Sequence, residues 1–257
     1  MNKNIKYLLL IILICFSFYY TSVVKDLSDK NNVVMSMIDE YSADNDIKCI
    51  EGFINNTGVV LSYNGKIVDK ENSYSNMKGS VFDESLIEYK KDKCILNKED
   101  NIDKYIISGN KHDKKVSIVI DIDSTLYFKH MKDIFDSEKS SVNYLVSYNN
   151  TILVDNNILI KTNTDNIRKF KSKINHFYCV KYDNFDVLEY CKKEHINSIR
   201  MVNYIGSNLL YNVKKLLNNG SIIFIKENES NYIELKAAIK YIKSRGYQIV
   251  SIDELFS

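Results

Sequence analysis

The chain has 257 residues, 45% of them hydrophobic and 26% charged, which is enough apolar material to bury a core and excludes bulk disorder. Its formal net charge is +2. Acids and bases are interspersed, so no extended basic field exists to hold a phosphate backbone, and nucleic acid is excluded as a partner. Proline and tryptophan are absent while Lys, Asn, Ile and Tyr abound, a bias that points to AT-rich coding more than to a demand of the fold.

The first element is an uncharged run over residues 7–24, YLLLIILICFSFYYTSVV. At about 1.5 Å per residue it reaches across most of a bilayer core of about 30 Å, which predicts a transmembrane helix. Lys3 and Lys6 precede it, whereas Lys25 and Asp26 nearly cancel after it. That asymmetry places the N-terminus in the cytoplasm and the main domain outside, as a single-pass protein of the cell membrane. A cleaved signal peptide is the rival, but no pair of small residues marks a cleavage site, and Cys15 follows Ile14 where a lipoprotein signal needs a small residue.

Residues 25–45 carry Val33, Val34, Met37, Ile38 and Tyr41 at helical intervals, which predicts a juxtamembrane amphipathic helix or a plain stalk. Residues 46–108 form a small β-rich segment in which GVVLSYNGKIVD is two extended runs around Asn64-Gly65, a hairpin signal. Cys49 and Cys94 bracket this segment. A disulfide between them would stabilise it by about 3 kcal/mol; two buried free thiols are the other reading. Cys179 and Cys191 follow, and no CxxC spacing marks a cysteine zinc site.

Residues 109–257 form the main domain. The strands are VSIVID, VNYLVSY, NHFYCVKY, INSIRMV, GSIIFI and YQIVSI, with helices around Met131, Lys169, Val187, Val213 and Ile239. Such alternation predicts an α/β fold of parallel strands joined by helical crossovers, and continuously apolar strands fit a sheet buried on both faces. In the last helix Asn231 is the predicted cap with Glu234 three residues on, Tyr232, Leu235, Ala238, Ile239 and Ile242 form one stripe, and Gly246 ends it.

KVSIVID resembles the opening strand of the polysaccharide deacetylase (NodB-homology) family, residues 220–257 resemble its close, and NFDVLEYCKKEHINSIRMV is similar to a helix-strand run between them. The resemblance covers residues 115–257 and implies a deacetylase-type distorted (β/α) barrel or open parallel sheet. It also implies a chemistry. A divalent metal such as zinc, held by one Asp and two His, polarises an acetamide carbonyl and acidifies water, while a second Asp serves as base and a late His as acid.

Carried over residue by residue, the family's Asp pair falls on Asp121 and Ile122, so the base position is kept and the metal-binding Asp is lost. The two metal histidines fall near Thr162 and Asn166. The Arg-Pro-Pro-Tyr-Gly loop falls near Tyr178 to Lys181 in a chain without proline, and the closing Leu-His-Asp falls on Ile225, Lys226 and Glu227, which puts Lys226 in place of the catalytic acid. The resemblance therefore implies a catalytically degenerate member with no cofactor expected, acting at or binding cell-wall polysaccharide or peptidoglycan. An active deacetylase with a rearranged site and a structural partner protein stay open.

Other residues offer alternatives. His112, His130, His176 and His195 stand at no ligand spacing to one another and read as surface or packing histidines. IVIDIDSTL matches the opening motif of haloacid-dehalogenase-type phosphatases, with Asp121 as nucleophile, Asp123 as its partner and Ser147 as a later hydroxyl, although only Glu227 and Glu229 stand near the place of the later acidic pair. A structural role for Asp121 and Asp123 is helix capping at the strand end. Tyr127, Phe128 and Tyr148, just past strand ends, could stack on sugar rings or simply pack.

Overall fold

Asn64 and Gly65 mark a boundary between two units instead of turning a hairpin. In the computed structural model, which describes residues 3–123, 126–147, 157–161, 169–172, 174, 176–181 and 187–257 apart from the side chains of 3–6, 8, 9, 26, 27 and 30, one unit is Met1–Lys48 with Gly65–Lys93. The other is Cys49–Asn64 with Cys94–Ser257. β1 (Phe53–Asn55) and β2 (Gly58–Val60) pair antiparallel, whereas β3 (Gly65–Val68) pairs antiparallel with β4 (Tyr89–Asp92) in a separate sheet. The winning turn lies earlier in the chain: Asn55 Oδ1 accepts from the backbone N–H of Thr57 at 2.8 Å and of Gly58 at 3.1 Å, and Gly58 takes a φ of 155°. An Asx turn with glycine supplies the reversal that Asn64-Gly65 was expected to make.

In the first unit one helix, Lys3–Asn45, runs 43 residues without a break. Residues 25–45, expected as a helix or a stalk, are helical and continue the helix of the preceding residues, with no glycine or proline in between. Its late turns bury Val34 and Ile38 against Val68 and Met77, the i, i+4 spacing expected of one helix face. Leu10, Ile11, Leu13, Phe16 and Phe18, in its early turns, are all more than half exposed. Among the described residues no helix is long and apolar enough to cross a membrane, so the span expected over residues 7–24 gains no support from the described structure.

The second unit is built on one large sheet. Its further strands are β5 (Tyr105–Ser108), β6 (Lys115–Asp121), β7 (Asn143–Val146), β8 (Ile158–Lys161), β9 (Tyr178–Lys181), β10 (Ser198–Arg200), β11 (Asn203–Ile205), β12 (Ile222–Lys226) and β13 (Gln248–Ile249). The order is β1-β2-β5-β10-β9-β8-β7-β6-β12-β11, with β13 on the start of β6. Every pair but β1–β2 is parallel. The sheet curls, for Ser108 at the end of β5 bridges to Ser221 at the start of β12 on its far side.

Alternation along each strand feeds two cores. Ile106, Val119, Leu145, Leu159, Val180 and Phe224 fill the concave face, closed below by Ile252, Leu255 and Phe256. Ile118, Ile120, Ile160 and Ile223 face the convex side. There they are covered by helices Phe128–Ser137, Leu209–Leu216 and Glu229–Ser244. Burial on both faces is why the strands read as continuous apolar runs.

The last helix begins one turn earlier than expected. Its cap is Asn228, whose Oδ1 accepts from the Asn231 N–H at 2.9 Å. Asn231 itself is buried inside the first turn, its amide donating to the carbonyls of Ile205 and Lys226. A buried amide needs such partners, and that tie between neighbouring strand ends overrides its use as a cap. Helix Leu188–Lys193 is joined to β9 by a Cys179–Cys191 disulfide with Cα atoms 6.6 Å apart.

Candidate functional site

Parallel strands in a curled sheet bring their carboxyl ends to one rim, where such folds place their chemistry. Here β6 ends on Asp121, β8 on Lys161 and β12 on Lys226, and Asp121 and Lys226 are register partners. Because side chains alternate along a strand, Asp121 and Asp123 share the concave side while Ile122 points into the helix-covered core. Ile122 is fully buried and its N–H donates to the Leu145 carbonyl at 3.0 Å.

Asp121 has no solvent exposure, and its Oδ1 is in direct contact with the Lys161 ammonium, itself 10% exposed. Lys161 Nζ also donates to Asp123 Oδ1 at 2.6 Å, and the Tyr204 hydroxyl donates to Asp121 Oδ2 at 3.2 Å. Burial pushes the Asp121 carboxyl up, with the Lys161 ammonium working against it. For Lys161 burial is the largest single influence and works downward, but the hydrogen bonds and charges of Asp121 and Asp123 outweigh it and hold the ammonium above its ordinary range. The lysine is thus a fixed cation between two carboxylates.

Among the described residues the first N–H groups of the helix that follows β6 are met by Glu227, at the end of β12: its buried carboxylate accepts from the backbone N–H groups of Tyr127 and Phe128, both at 2.9 Å, and its own N–H donates to the Asp121 carbonyl at 3.1 Å. An anion at a helix start satisfies otherwise orphaned donors and complements the helix dipole. Glu227→Ala is expected to lower stability by about 2 kcal/mol in denaturant unfolding, with Glu227→Gln intermediate; a loss no larger than an exposed Glu229→Ala control would refute the cap.

A divalent ion of the kind the family uses does not fit the described residues here. A lysine ammonium already neutralises the carboxylates, and no histidine is seen in contact with Asp121, Asp123 or Lys161. His112 stacks on Tyr63 with ring centroids 4.4 Å apart, His130 lies near Tyr232, His176 Nε2 is 2.8 Å from Asp253, and His195 follows helix Leu188–Lys193. Among the described residues the group that could jointly hold an ion is Cys49, Glu51 and Cys94, and its two sulfurs are joined in a disulfide.

Thr162, Asn166 and Tyr148 lie outside the described residues. Phe128 is buried against Tyr144, with ring centroids 5.4 Å apart, which withdraws it from any sugar-stacking role. Tyr127 is only partly buried beside Tyr232. Lys161 and Tyr204 went unread in the sequence. ILIK is a strand-length apolar run ending in a charge, a signal that was there to be used; NYI is too short to announce a strand.

For the phosphatase alternative, the carboxylate expected as nucleophile, Asp121, is buried against the Lys161 ammonium and the Tyr204 hydroxyl. The sheet runs β7, β8, β9 and β10 in sequence order on one side of β6, with β12 and β11 on the other.

No protein-family model and no curated protein matches the chain. Among solved structures, a CE4 family pseudoenzyme from Bacillus anthracis matches with a TM-score of 0.63 at 19% identity, over 87% of this chain and 95% of that one. A mutant of the same protein gives 0.64 at 20% identity, over 87% and 97%. A further mutant, described as having restored enzymatic activity, gives 0.63 at 20%, over 87% and 98%. The fold of this chain is that of the CE4, polysaccharide deacetylase-like proteins, and the share of 87% reaches well beyond residues 115–257 into the N-terminal half.

Proposed function

We propose, from the fold shared with a CE4 family pseudoenzyme, that this chain is a membrane-anchored, extracytoplasmic deacetylase-like protein that binds cell-wall glycan without hydrolysing it by the metal route. The observation that carries this is the contact of Lys161 with Asp121. A base needs a carboxylate free to take a proton from water; the Asp121 carboxylate is instead buried and engaged by an ammonium and a tyrosine hydroxyl. What remains at the rim for a sugar is polar and partly exposed: Asp123, Tyr204 and Lys226. Hydroxyl-rich ligands are held by such donors and acceptors.

The uncharged run over residues 7–24 supports an anchor. Two disulfides support an oxidising compartment, since reducing cytoplasm rarely preserves them.

The full-length protein in detergent micelles is expected to sediment with purified sacculi, to lose most of that binding in Tyr204→Ala combined with Lys226→Ala, and to release no acetate from peptidoglycan. Metal-dependent acetate release would sink the degenerate-site proposal and favour an active deacetylase with a rearranged site. Failure to sediment would sink glycan binding in favour of a structural partner protein.

A further inference from the structure

Beside the seam where Ser108 bridges to Ser221, a cleft of about 610 Å³ opens along β2, the end of β5 and the starts of β11 and β12. Its volume is in the range of small-molecule sites. Asp121 ends β6, whereas this cleft is bordered by the opposite ends of β11 and β12, at Asn203 and Ser221. It is therefore separate from the rim site.

The lining is asymmetric in charge. Lys111 and Lys215 line it, and no carboxylate does so among the described residues. Lys111 Nζ donates to the Ser108 hydroxyl and to the Asn219 carbonyl, each at 2.8 Å. Both partners are neutral, and Ser108 Oγ spends its own proton on the Gly220 carbonyl at 2.8 Å, so toward Lys111 it can only accept. The ammonium keeps a third N–H direction for a ligand. Partial desolvation lowers the Lys111 pKa with no acid to offset it, and a bound anion would supply that missing charge.

Lys215 stands 4.4 Å from the centre of the Tyr211 ring. The remaining walls carry Phe53 and Val202, each about half exposed, with Leu216 and Tyr247. The Leu216 carbonyl, at the end of helix Leu209–Leu216, accepts from the Ser221 hydroxyl at 3.2 Å. Lys215, in the last turn of that helix, offsets the negative end of the helix dipole on this side of the cleft.

Between the lining residues Asn219 and Ser221 the chain makes a turn that requires glycine. Gly220 has a φ of 75°, and a Cβ there would strike the carbonyls of Asn110 and Gly109. Asn219 Nδ2 donates to the Lys111 and His112 carbonyls at 2.9 and 3.2 Å. The lysine is therefore positioned by a hydrogen-bonded frame, which lowers the ordering cost of binding.

We propose that this seam cleft binds a small ligand joining one phosphate or carboxylate to a flat apolar body, with the anion on Lys111 and Lys215 and the body against Phe53 and Val202. The test is calorimetric titration of the full-length protein with phenyl phosphate, benzoate, inorganic phosphate and the neutral phenyl β-D-glucoside. Phenyl phosphate or benzoate should bind saturably and at least tenfold tighter than either inorganic phosphate or the glucoside, and whichever of the two binds tighter identifies the anion. Lys215→Glu, which removes no hydrogen bond seen in the structure, should weaken that binding at least tenfold with at most a small fall in melting temperature, and Lys111→Met should weaken it as well. Absence of saturable binding by both anionic probes, equal binding of the glucoside, equal binding of inorganic phosphate, or indifference to Lys215→Glu would each overturn the proposal. None of these outcomes bears on sacculus binding at the rim.

Discussion

Lys161→Met is expected to destabilise the protein by about 3–5 kcal/mol, the usual cost of stranding one member of a buried ion pair. Asp121 would remain buried with the Tyr204 hydroxyl but without its cation. Urea unfolding measures the loss, and the double variant Lys161→Met with Asp121→Leu should regain most of it, because removing both charges is far less costly than removing one. A single-variant loss below about 1 kcal/mol, the level of a surface pair, would show that Lys161 is not the internal cation.

The pH dependence follows from the signs. Burial raises the Asp121 carboxyl in the folded protein. A raised carboxyl binds its proton more tightly folded than unfolded, so stability falls as pH climbs from the ordinary aspartate value of about 3.9 through the folded one. Lys161 opposes this in the natural chain. The methionine variant should therefore lose more stability between pH 4 and neutrality than the parent does. The Lys161 ammonium has a raised folded-state value, so the stability linked to it is fully present below about pH 10.4 and is lost as pH rises through that higher value.

Removing the Cys49–Cys94 disulfide should cost about 4 kcal/mol, the loop-closure entropy for cysteines 45 residues apart. It joins residues whose Cα atoms are 5.6 Å apart, at two places where the chain enters the second unit. Cys49→Ala with Cys94→Ala is the variant, and guanidinium unfolding with and without reductant the measurement. The Cys179–Cys191 pair, only 12 residues apart, should contribute about 3 kcal/mol, and because both cysteines are fully buried it should yield to reductant only once the fold opens. Unchanged unfolding midpoints in the double variant would refute the first of these expectations.

Much of the fold was legible in the chain. KVSIVID and GSIIFI announce themselves as continuous apolar runs of strand length, because both their faces are buried, and the helices around Met131 and Ile239 by their helical period, because each buries one face. Legibility failed where two local signals competed. Asn64-Gly65 is a good turn sequence, but Asn55 with Gly58 made the turn and Asn64 instead accepts from the Cys94 N–H at 3.2 Å. Asn231 and Asn228 are both cap residues by type, and only the packing of Asn231 against Ile205 and Lys226 separates them.

The site divides the same way. What the sequence by itself offered is an expectation of loss: the resemblance alone sets Ile122 where the deacetylase family has a metal-binding aspartate and Lys226 where it has a histidine, in a chain of only four histidines. Identity at a motif position is a local property, so one chain suffices to read it. What only the tertiary structure decided is what stands there instead. Lys161 lies 40 residues from Asp121, Tyr204 83 and Glu227 106, and no local periodicity links such positions. They meet because parallel pairing brings β6, β8, β11 and β12 to a common rim. A charge buried there must find its partner through the sheet and not along the chain.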